Sequence, residues 1–236
     1  MPKRGRTLIV GDVHGCRHEL EALLEATHLT SRDRLVLVGD VVVRGPDPRG
    51  AMALALEHNA VIVRGNHEQK LLSWREGNAR LGPDHQRVAD ALTAAEWKIL
   101  EATPLWYDLP EHEARVVHAG VVPGVRIDKT EPEALLKMRT VDSHGRWSDD
   151  RDKGTLWGAR YTGPPHVIFG HNAAVEPQLH PWATGLDTGC VYGRRLTGML
   201  LEAGEKVPRG EAARGKLVSV RARRAYYGDG APAARA

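Results

Sequence analysis

The fold of this chain is decided by the sequence RTLIVGDVHG at residues 6–15, where an apolar run ends in polar side chains flanked by glycine. The apolar run at residues 8–10 predicts a buried β-strand. Asp12 and His14 follow it directly, in a segment that the glycines allow to turn sharply. Residues 17–26 then carry leucines on one face of a predicted helix. A strand that leads through such a turn into a helix is typical of α/β proteins.

The same arrangement recurs along the chain and places potential metal ligands after successive predicted strands. After the first strand these ligands are Asp40, Asn66, His118 and His171, each with a glycine within two residues. In α/β sheets the carboxyl ends of the strands open into one crevice, so we expect these side chains to converge. One strand-end histidine is a weak signal, because most such histidines are structural. Five ordered occurrences indicate a functional site.

The remaining periodicity predicts an α/β fold with mixed sheets flanked by helices. Further strands are predicted at residues 34–38, 60–63, 114–117 and 167–169, and antiparallel strands near Leu186, at 196–201 and at 217–220. Helices are predicted at residues 48–58, 68–75, 84–101 and 131–137. The polar stretch at residues 140–155 receives no assignment.

Composition limits the class of protein. The chain has 236 residues, 42% hydrophobic and 27% charged, which excludes collagen-like, coiled-coil and wholly disordered proteins. No apolar run approaches the roughly 18 residues of a membrane span, and no secretory signal precedes the first strand, so we expect no membrane association and a cytoplasmic location. The two cysteines, Cys16 and Cys190, are too few for a disulfide framework, and we expect both to be reduced.

The positive charge is concentrated at the C-terminus. Residues 203–236 contain eight basic and three acidic residues, a net charge of +5, and the net charge of +3 for the whole chain leaves −2 for the rest. A domain that binds duplex nucleic acid would carry Lys and Arg over a folded face. We therefore predict a main domain at residues 1–203, a basic C-terminal segment at 204–236 that is partly ordered at most, and no stable nucleic-acid binding.

The strand-end residues form a donor set of three histidines, two aspartates and one asparagine. They are Asp12, His14, Asp40, Asn66, His118 and His171. This set suits Mn, Fe, Zn or Co better than Mg. Six protein ligands fit two metal ions about 3.5–4 Å apart, an arrangement used for in-line displacement at phosphorus. Asp40 stands between the two groups of ligands in the chain, so we expect it to bridge the ions.

Other motifs and residues carry less information. The sequence has no Walker loop, Gly-x-Gly-x-x-Gly or His-Glu-x-x-His motif, which argues against NTPases, dinucleotide-cofactor enzymes and zincins. The remaining histidines, His85 among them, lack the strand-end context and are predicted to be ordinary core or surface residues. Trp74, Trp97 and Trp106 could stack on a nucleobase, but we expect them to pack in the core.

Six blocks of this sequence together resemble the calcineurin-like metallophosphoesterases, in the branch that holds Ser/Thr protein phosphatases and symmetrical diadenosine tetraphosphate hydrolases. The blocks are GDVHG at 11–15, GDVVVRGP at 39–46, GNHE at 65–68, HAG at 118–120, FGH at 169–171 and LDTGCVYG at 186–193. The resemblance implies a sandwich of mixed β-sheets flanked by helices, with residues 1–203 as the catalytic domain.

The resemblance also implies how two divalent metal ions are held. Asp12, His14 and Asp40 would hold one ion, and the other would be held by Asp40, Asn66, His118 and His171. Mn is the expected metal, with Co, Fe, Zn and Mg as alternatives.

Two further roles follow from the resemblance. His67 would be the general acid, and Arg44 would bind two phosphate oxygens at once through its planar guanidinium group. A second phosphate-binding arginine is expected in the middle of the chain, where Arg139 is the candidate and Arg146 and Arg160 are nearby alternatives.

Val43 departs from the pattern of the protein phosphatases, which have Asp at this position. In that branch the carboxylate orients the catalytic histidine and favours its protonated form, and Val43 gives His67 no such partner. A serine alkoxide must be protonated as it leaves, an effect worth about 10²–10⁴-fold, whereas a nucleoside diphosphate is a far weaker base. The departure therefore favours an anhydride substrate over phosphoserine.

We therefore predict a metal-dependent hydrolase that cleaves diadenosine tetraphosphate and related dinucleoside polyphosphates symmetrically to nucleoside diphosphates, by in-line attack of a metal-bridging hydroxide. The first alternative is a Ser/Thr protein phosphatase or a broad-specificity phosphomonoesterase, which would act on phosphorylated proteins or small molecules. The second is a metal-binding scaffold without catalysis, against which His67 and Arg44 argue.

Overall fold

The computed structural model describes residues 5–228, and within them two five-stranded sheets, one three-stranded sheet and their helices make up the fold. The strands are β1 Thr7–Val10, β2 Arg34–Leu37, β3 Val61–Ile62, β4 Trp106–Leu109, β5 Ala114–Val117, β6 Thr140–Val141, β7 Trp147–Ser148, β8 Thr155–Leu156, β9 His166–Phe169, β10 Gln178–Leu179, β11 Ala183–Gly185, β12 Arg195–Leu201 and β13 Leu217–Arg221. The α-helices are α1 Arg17–Ala26, α2 Pro48–Glu57, α3 Asn66–Arg75, α4 Pro83–Ala91, α5 Ala94–Ala102 and α6 Pro132–Lys137. Short 3₁₀ helices lie at Pro110–His112, Ile127–Lys129, Trp157–Ala159 and Gly210–Lys216. None of the helices in this part of the chain is long and apolar enough to cross a membrane.

The two large sheets pack face to face, and helices cover their outer faces. In β1 the side chain of Ile9 points into the core between the sheets, where it joins Ile168 of β9. Leu8 and Val10 point the other way and pack with helical residues such as Leu20 of α1. All four residues of β1 are buried. Because both faces of the strand are covered, its sequence reads as a continuous apolar run.

Both large sheets are mixed, as the sequence predicts. The first has the order β13-β12-β1-β2-β3, with β1 parallel to β2 and antiparallel to β12. The second has the order β10-β11-β9-β5-β4, with β9 parallel to both of its neighbours. The predicted ligands follow parallel strands, namely β1, β2 and the edge strand β3 of the first sheet and β5 and β9 of the second.

The prediction of a single helix at residues 84–101 is wrong, because the chain forms two helices, α4 and α5, with a break between them. Leu92 ends α4 in an extended conformation. The Thr93 hydroxyl accepts a hydrogen bond from the Glu96 N–H at 3.3 Å, and the Glu96 carboxylate accepts one from the Thr93 N–H at 2.7 Å. This capping box starts a new helix.

The antiparallel strand predicted near Leu186 is confirmed only in part. The strand in this region is β11, which ends at Gly185, just before Leu186, and pairs antiparallel with β10 but parallel with β9. The unassigned residues 140–155 form the small sheet β7-β6-β8, in which β6 pairs antiparallel with both neighbours. Its strands have two residues each, too few for a periodic signal.

Residues 204–228 belong to the same folded unit, so the boundary predicted after residue 203 does not divide the fold. Strand β13 pairs antiparallel with β12 through five residue pairs. Beyond β13, the backbone N–H of Arg223 and the hydroxyl of Tyr226 donate to Oε1 of the buried Glu19, at 2.9 and 2.8 Å. The antiparallel strand predicted at residues 217–220 is confirmed as β13, and it attaches the basic segment to the first sheet. Residues 229–236 of the predicted segment lie outside the described residues.

Removal of the Tyr226 hydroxyl tests this attachment. Tyr226→Phe takes one donor from the carboxylate of Glu19, a residue that is only 2% exposed. Because hydrogen bonds to charged groups are worth about 1.5–3 kcal/mol, we expect the free energy of unfolding in urea to fall by about 1–2 kcal/mol. Arg214→Ala removes an exposed ion pair with Glu211 in the same segment and is the control, expected to leave stability unchanged. Equal stability of Tyr226→Phe and the wild type would contradict the attachment.

Candidate metal centre

The carboxyl ends of four parallel strands bring the predicted ligands to one crevice between the large sheets. Asp12 and His14 follow β1, Asp40 follows β2, and His118 and His171 follow β5 and β9. The backbone φ angles of His14, Asp40 and His171 are 48°, 48° and 60°. This left-handed conformation is uncommon for residues other than glycine and concentrates at functional sites, where the surrounding structure must enforce it.

The first group of donors surrounds His14. Its Nε2 lies 3.7 Å from Oδ2 of Asp40 and 4.0 Å from Oδ2 of Asp12. Nε2 of His67 lies 3.9 Å from the same oxygen of Asp40. Ligand atoms of His14, Asp40 and His67 all lie within 4.8 Å of one another. The first group therefore has the spacing of a metal site, with His67 at its edge.

The second group of donors surrounds Asn66. Its Oδ1 lies 3.0 Å from Nε2 of His118 and 2.8 Å from Nδ1 of His171. Nε2 of His118 lies 3.5 Å from Oδ2 of Asp40. That Asp40 oxygen therefore faces histidines of both groups, and the structure brings all six predicted ligands together.

The chemistry of these donors fits divalent metal ions. Nδ1 of His118 lies 3.0 Å from the carbonyl oxygen of Val38, an acceptor, so Nδ1 carries the proton and Nε2 is free to bind a metal. Burial lowers the pKa of His118 to about 4, which keeps the ring neutral. Burial also raises the pKa of Asp40 to about 7 and, together with the charge of Asp187, raises that of Asp12. A divalent cation would bind the neutral imidazoles and stabilise the ionised carboxylates.

Glu68 supports the backbone of the metal centre, although the sequence did not single it out. Its Oε2 accepts hydrogen bonds from the backbone N–H of Asp40 at 2.8 Å and of Gly65 at 3.0 Å, and its Oε1 accepts one from Val41 at 3.0 Å. The side chain is fully buried. Glu68 is the N3 residue of α3, and its side chain accepts from the N–H of the N-cap residue Gly65, which is one half of a capping box.

Asp187 is a second residue that the sequence analysis missed. It is buried, it lines the same cavity as Asp12, and its Oδ1 accepts a hydrogen bond from the N–H of Gly189 at 3.0 Å. Burial raises the pKa of its carboxyl. Asp187 follows a parallel strand and is close to a glycine, as the predicted ligands are. The signal was present but was obscured because the strand was placed at Leu186.

His67 contacts a residue that the sequence did not connect with the site. The backbone N–H of His67 donates to Oδ1 of Asp40 at 3.0 Å, and its Nδ1 lies 2.9 Å from Nε2 of His85. Burial is the main reason why the pKa of His67 lies well below its ordinary value, and the charge of His14 lowers it further. His85 is buried, as a core residue would be, but its contact with His67 was not predicted. No local pattern could reveal the contact, because His85 lies 18 residues away on another helix.

A cavity of about 360 Å³ opens over both groups of donors, and four arginines line it: Arg44, Arg139, Arg151 and Arg194. Nη1 of Arg44 lies 3.4 Å from Nε2 of His14 and donates to the Tyr192 hydroxyl at 2.9 Å. The sequence singled out Arg44 and Arg139 but missed Arg151, which lies in a turn, and Arg194, which directly follows the block at 186–193.

The structure distinguishes Arg139 from its two alternatives. Arg139 lines the cavity and donates to Oδ1 of Asn172, the residue after His171, at 3.0 Å. Arg146 pairs with Asp142 at 2.7 Å on the surface. Within residues 5–228, neither Arg146 nor Arg160 is part of the cavity lining.

The predicted core packing of the three tryptophans is confirmed. Trp74 and Trp97 pack in the helical core on the first sheet, with their ring centroids 6.3 Å apart. Trp106 packs against the core on the outer face of the second sheet. The aromatic residue that lines the cavity is Tyr192, which is 37% exposed and lies beside Tyr227.

The fold and this donor set agree with a family match that covers most of the chain. Residues 5–196 match the family model of the calcineurin-like phosphoesterases. The chain belongs to this family of metallophosphoesterase hydrolases, which confirms the predicted sandwich fold. Membership also implies that divalent metal ions act in the site, in agreement with the clustered His and Asp side chains.

Curated relatives carry the names of tetraphosphatases of both cleavage types. Bis(5'-nucleosyl)-tetraphosphatase PrpE of Oceanobacillus iheyensis, named as asymmetrical, is 30% identical and covers 80% of this chain and 86% of its own. The symmetrical bis(5'-nucleosyl)-tetraphosphatase of Stutzerimonas stutzeri is 30% identical and covers 84% of this chain and 95% of its own.

Solved structures share the fold. A crystal structure of a candidate diadenosine tetraphosphatase has a TM-score of 0.80 at 32% identity and covers 93% of this chain and 95% of that chain. A protein serine/threonine phosphatase of Saccharomyces cerevisiae has a TM-score of 0.61 at 15% identity, over 97% of this chain and 82% of that chain. The second likeness concerns the fold alone.

Metal binding should depend on pH, because metal ions and protons compete for Asp40. Burial raises the pKa of Asp40 to about 7, so below that pH a proton must leave before the ion binds. Affinity therefore rises with pH through about 7, and the raised pKa of Asp12 adds to this rise. By calorimetry, we expect the Kd for Mn²⁺ to fall about tenfold or more between roughly pH 6 and pH 8. Asp90→Asn, on the exposed side of α4, should show the same dependence, and an affinity that does not change with pH would contradict this account.

Proposed function

We propose that this protein hydrolyses dinucleoside polyphosphates, diadenosine tetraphosphate above all, symmetrically to nucleoside diphosphates. The observation that carries the proposal is the placement of four arginines around the donor groups in one cavity. A tetraphosphate carries several negative charges along its chain. The guanidinium group of an arginine can bind two phosphate oxygens at once. The names of the curated relatives support this class of substrate.

The arginines lie on two sides of the donor groups, which supports cleavage at an inner phosphorus. Arg44 lies beside His14 in the first group. Arg139 and Arg151 lie beside the second group, because they donate to Asn172 and to the carbonyl oxygen of Ala173. A phosphorus atom between the groups would have cationic side chains on both sides. Two phosphates on each side of the cleaved bond fit this distribution of charge.

The proposed mechanism gives separate tasks to the donors, the arginines and His67. The six predicted ligands would hold two divalent ions, for which Mn suits the mixed nitrogen and oxygen donors. When bound, these ions supply an activated water and neutralise charge on the phosphorus. Arg44 and Arg139 would bind phosphate oxygens and align the chain for in-line displacement. His67 would give the proton on Nε2 to the departing oxygen, once the negative charge of the bound phosphates offsets the burial that lowers its pKa.

Product analysis tests both the substrate and the position of cleavage. We expect Mn²⁺-loaded protein to convert diadenosine tetraphosphate to ADP as the single nucleotide product on anion-exchange chromatography. Equal amounts of AMP and ATP would contradict symmetrical cleavage. Absence of hydrolysis would contradict the substrate class.

Arg44→Ala tests, in the same assay, whether Arg44 binds the phosphates of the substrate. Loss of one preorganised charged donor costs about 10²–10³-fold in rate, so we expect kcat/KM to fall by about 100-fold. Arg126→Ala, which removes an exposed arginine that does not line the cavity, is the control and should leave kcat/KM unchanged. Similar values for both variants would show that Arg44 does not hold the substrate.

Val43→Asp tests why an anhydride would be preferred over a phosphomonoester. Val43 is fully buried with a φ of 74°, a conformation that Asp and Asn adopt more readily than β-branched residues. A carboxylate there should favour the protonated form of His67 and so assist poor leaving groups. We expect the ratio of kcat/KM for p-nitrophenyl phosphate to that for diadenosine tetraphosphate to rise about tenfold. Val43→Asn, which adds no charge, should leave the ratio unchanged, and an unchanged ratio for Val43→Asp would refute this role.

A further inference from the structure

We propose that His85 is a positioning residue for His67: it accepts a hydrogen bond from Nδ1 of His67 and keeps Nε2 of His67 directed at the metal centre. This inference rests on the proposed function in one respect, the role of His67 as proton donor. The pairing itself is a feature of the structure and can be tested separately.

The geometry of the two rings is that of a hydrogen bond. Nδ1 of His67 and Nε2 of His85 are 2.9 Å apart, and the ring planes are within 10° of each other with centroids 4.9 Å apart. A nitrogen separation of this size is too short for two rings stacked face to face, so the rings meet edge to edge. Nε2, on the other side of the His67 ring, lies 3.9 Å from Oδ2 of Asp40. One nitrogen therefore faces His85 and the other faces the metal centre.

Both imidazoles are held in place by the helices that carry them. His67 is in the first turn of α3, where its N–H donates to Asp40. His85 is in the first turn of α4, which begins at Pro83 and packs into the core through residues such as Val88. The two histidines are 6% and 8% exposed. The hydrogen bond thus connects two helices whose positions are set by core packing.

The direction of the hydrogen bond follows from the task of His67. An imidazole that gives up a proton from Nε2 carries protons on both nitrogens beforehand, so its Nδ1 must donate. His85 accepts in its neutral form, in which one ring nitrogen carries no proton. Nε2 of neutral His85 then offers a lone pair, and its Nδ1 keeps the ring proton.

His85 supplies an acceptor that the buried, apolar side chain of Val43 cannot supply. A neutral imidazole fixes the orientation of His67, as a carboxylate would, but it stabilises an imidazolium less. Orientation of His67, with little stabilisation of its imidazolium, is sufficient where the departing group is a weak base, such as a nucleoside diphosphate. The pairing is therefore consistent with an anhydride substrate.

Variants of His85 test the proposal through kinetics with diadenosine tetraphosphate. We expect His85→Leu to lower kcat by about 10- to 100-fold with KM within about twofold, because orientation of the proton donor affects the chemical step. His85→Gln keeps an acceptor oxygen and should recover most of the loss. The double variant His67→Ala/His85→Leu should be no slower than His67→Ala, because His85 acts only through His67.

A matched control separates this effect from damage to the core. His166 is 3% exposed, bonds Oγ1 of Thr184 at 2.9 Å and lies in β9. His166→Leu removes a buried histidine and its hydrogen bond without touching His67, so it should keep a kcat close to that of the wild type. Thermal unfolding of all variants would show whether each one is folded.

A spectroscopic measurement tests the pairing without any substrate. In ¹⁵N-histidine-labelled protein loaded with diamagnetic Zn²⁺, long-range ¹H–¹⁵N spectra report which ring nitrogen carries the proton. We expect one fixed protonation pattern for His67 in the wild type and a mixture in His85→Leu. His112, whose ring nitrogens contact the Glu205 carbonyl oxygen and Thr7 Oγ1 at 2.6 and 2.9 Å, is the internal reference and should not change.

The outcomes distinguish this inference from the proposed function. Wild-type kcat in His85→Leu with unchanged His67 resonances would overturn the positioning role. If the losses in kcat of the two single variants multiplied in the double variant, the positioning role would also be overturned, because His85 would then act independently of His67. Wild-type kcat in His67→Ala would instead refute the proton-donor role of His67 on which the inference rests.

Discussion

The buried carboxylate of Asp40 is the constraint on which the rest of the site depends. Its Oδ2 lies near both His14 and His118, and its Oδ1 accepts a hydrogen bond from the backbone N–H of His67. The Asp40 N–H in turn donates to Glu68. Burial of an ionised carboxylate is costly unless a cation compensates it. Metal binding and the packing of this crevice are therefore coupled, and Asp40 connects both donor groups with α3.

The site also depends on the contact between the two large sheets, because each sheet supplies part of it. Asp12 and Asp40 come from the first sheet, and His118 and His171 from the second. Hydrogen bonds cross between them: the N–H of His171 donates to Asp12 at 3.0 Å, and Nδ1 of His118 contacts the carbonyl oxygen of Val38. The core between the sheets thus sets the distance between the two donor groups, which no single element could fix alone.

Much of this site could be predicted because its ligands follow parallel strands, and both strands and glycine-flanked turns are local features of sequence. The same rule would have found Asp187 if β11 had been placed correctly. His85 could not be found in this way, since its pairing with His67 depends on how α4 packs against α3. The break before α5 was missed because its apolar periodicity continues that of α4, and only the capping box at Thr93 marks it. Periodicity predicts elements well, but it does not show which helices meet.

The most direct test of this account is the number and position of the metal ions. Crystals of the Mn²⁺-loaded protein, measured at the Mn absorption edge, would show each ion as a peak in an anomalous difference map. We expect two peaks about 3.5–4 Å apart with the Asp40 carboxylate between them, the first beside His14 and the second beside His118 and His171. A single peak, or two peaks that do not share Asp40, would contradict the account.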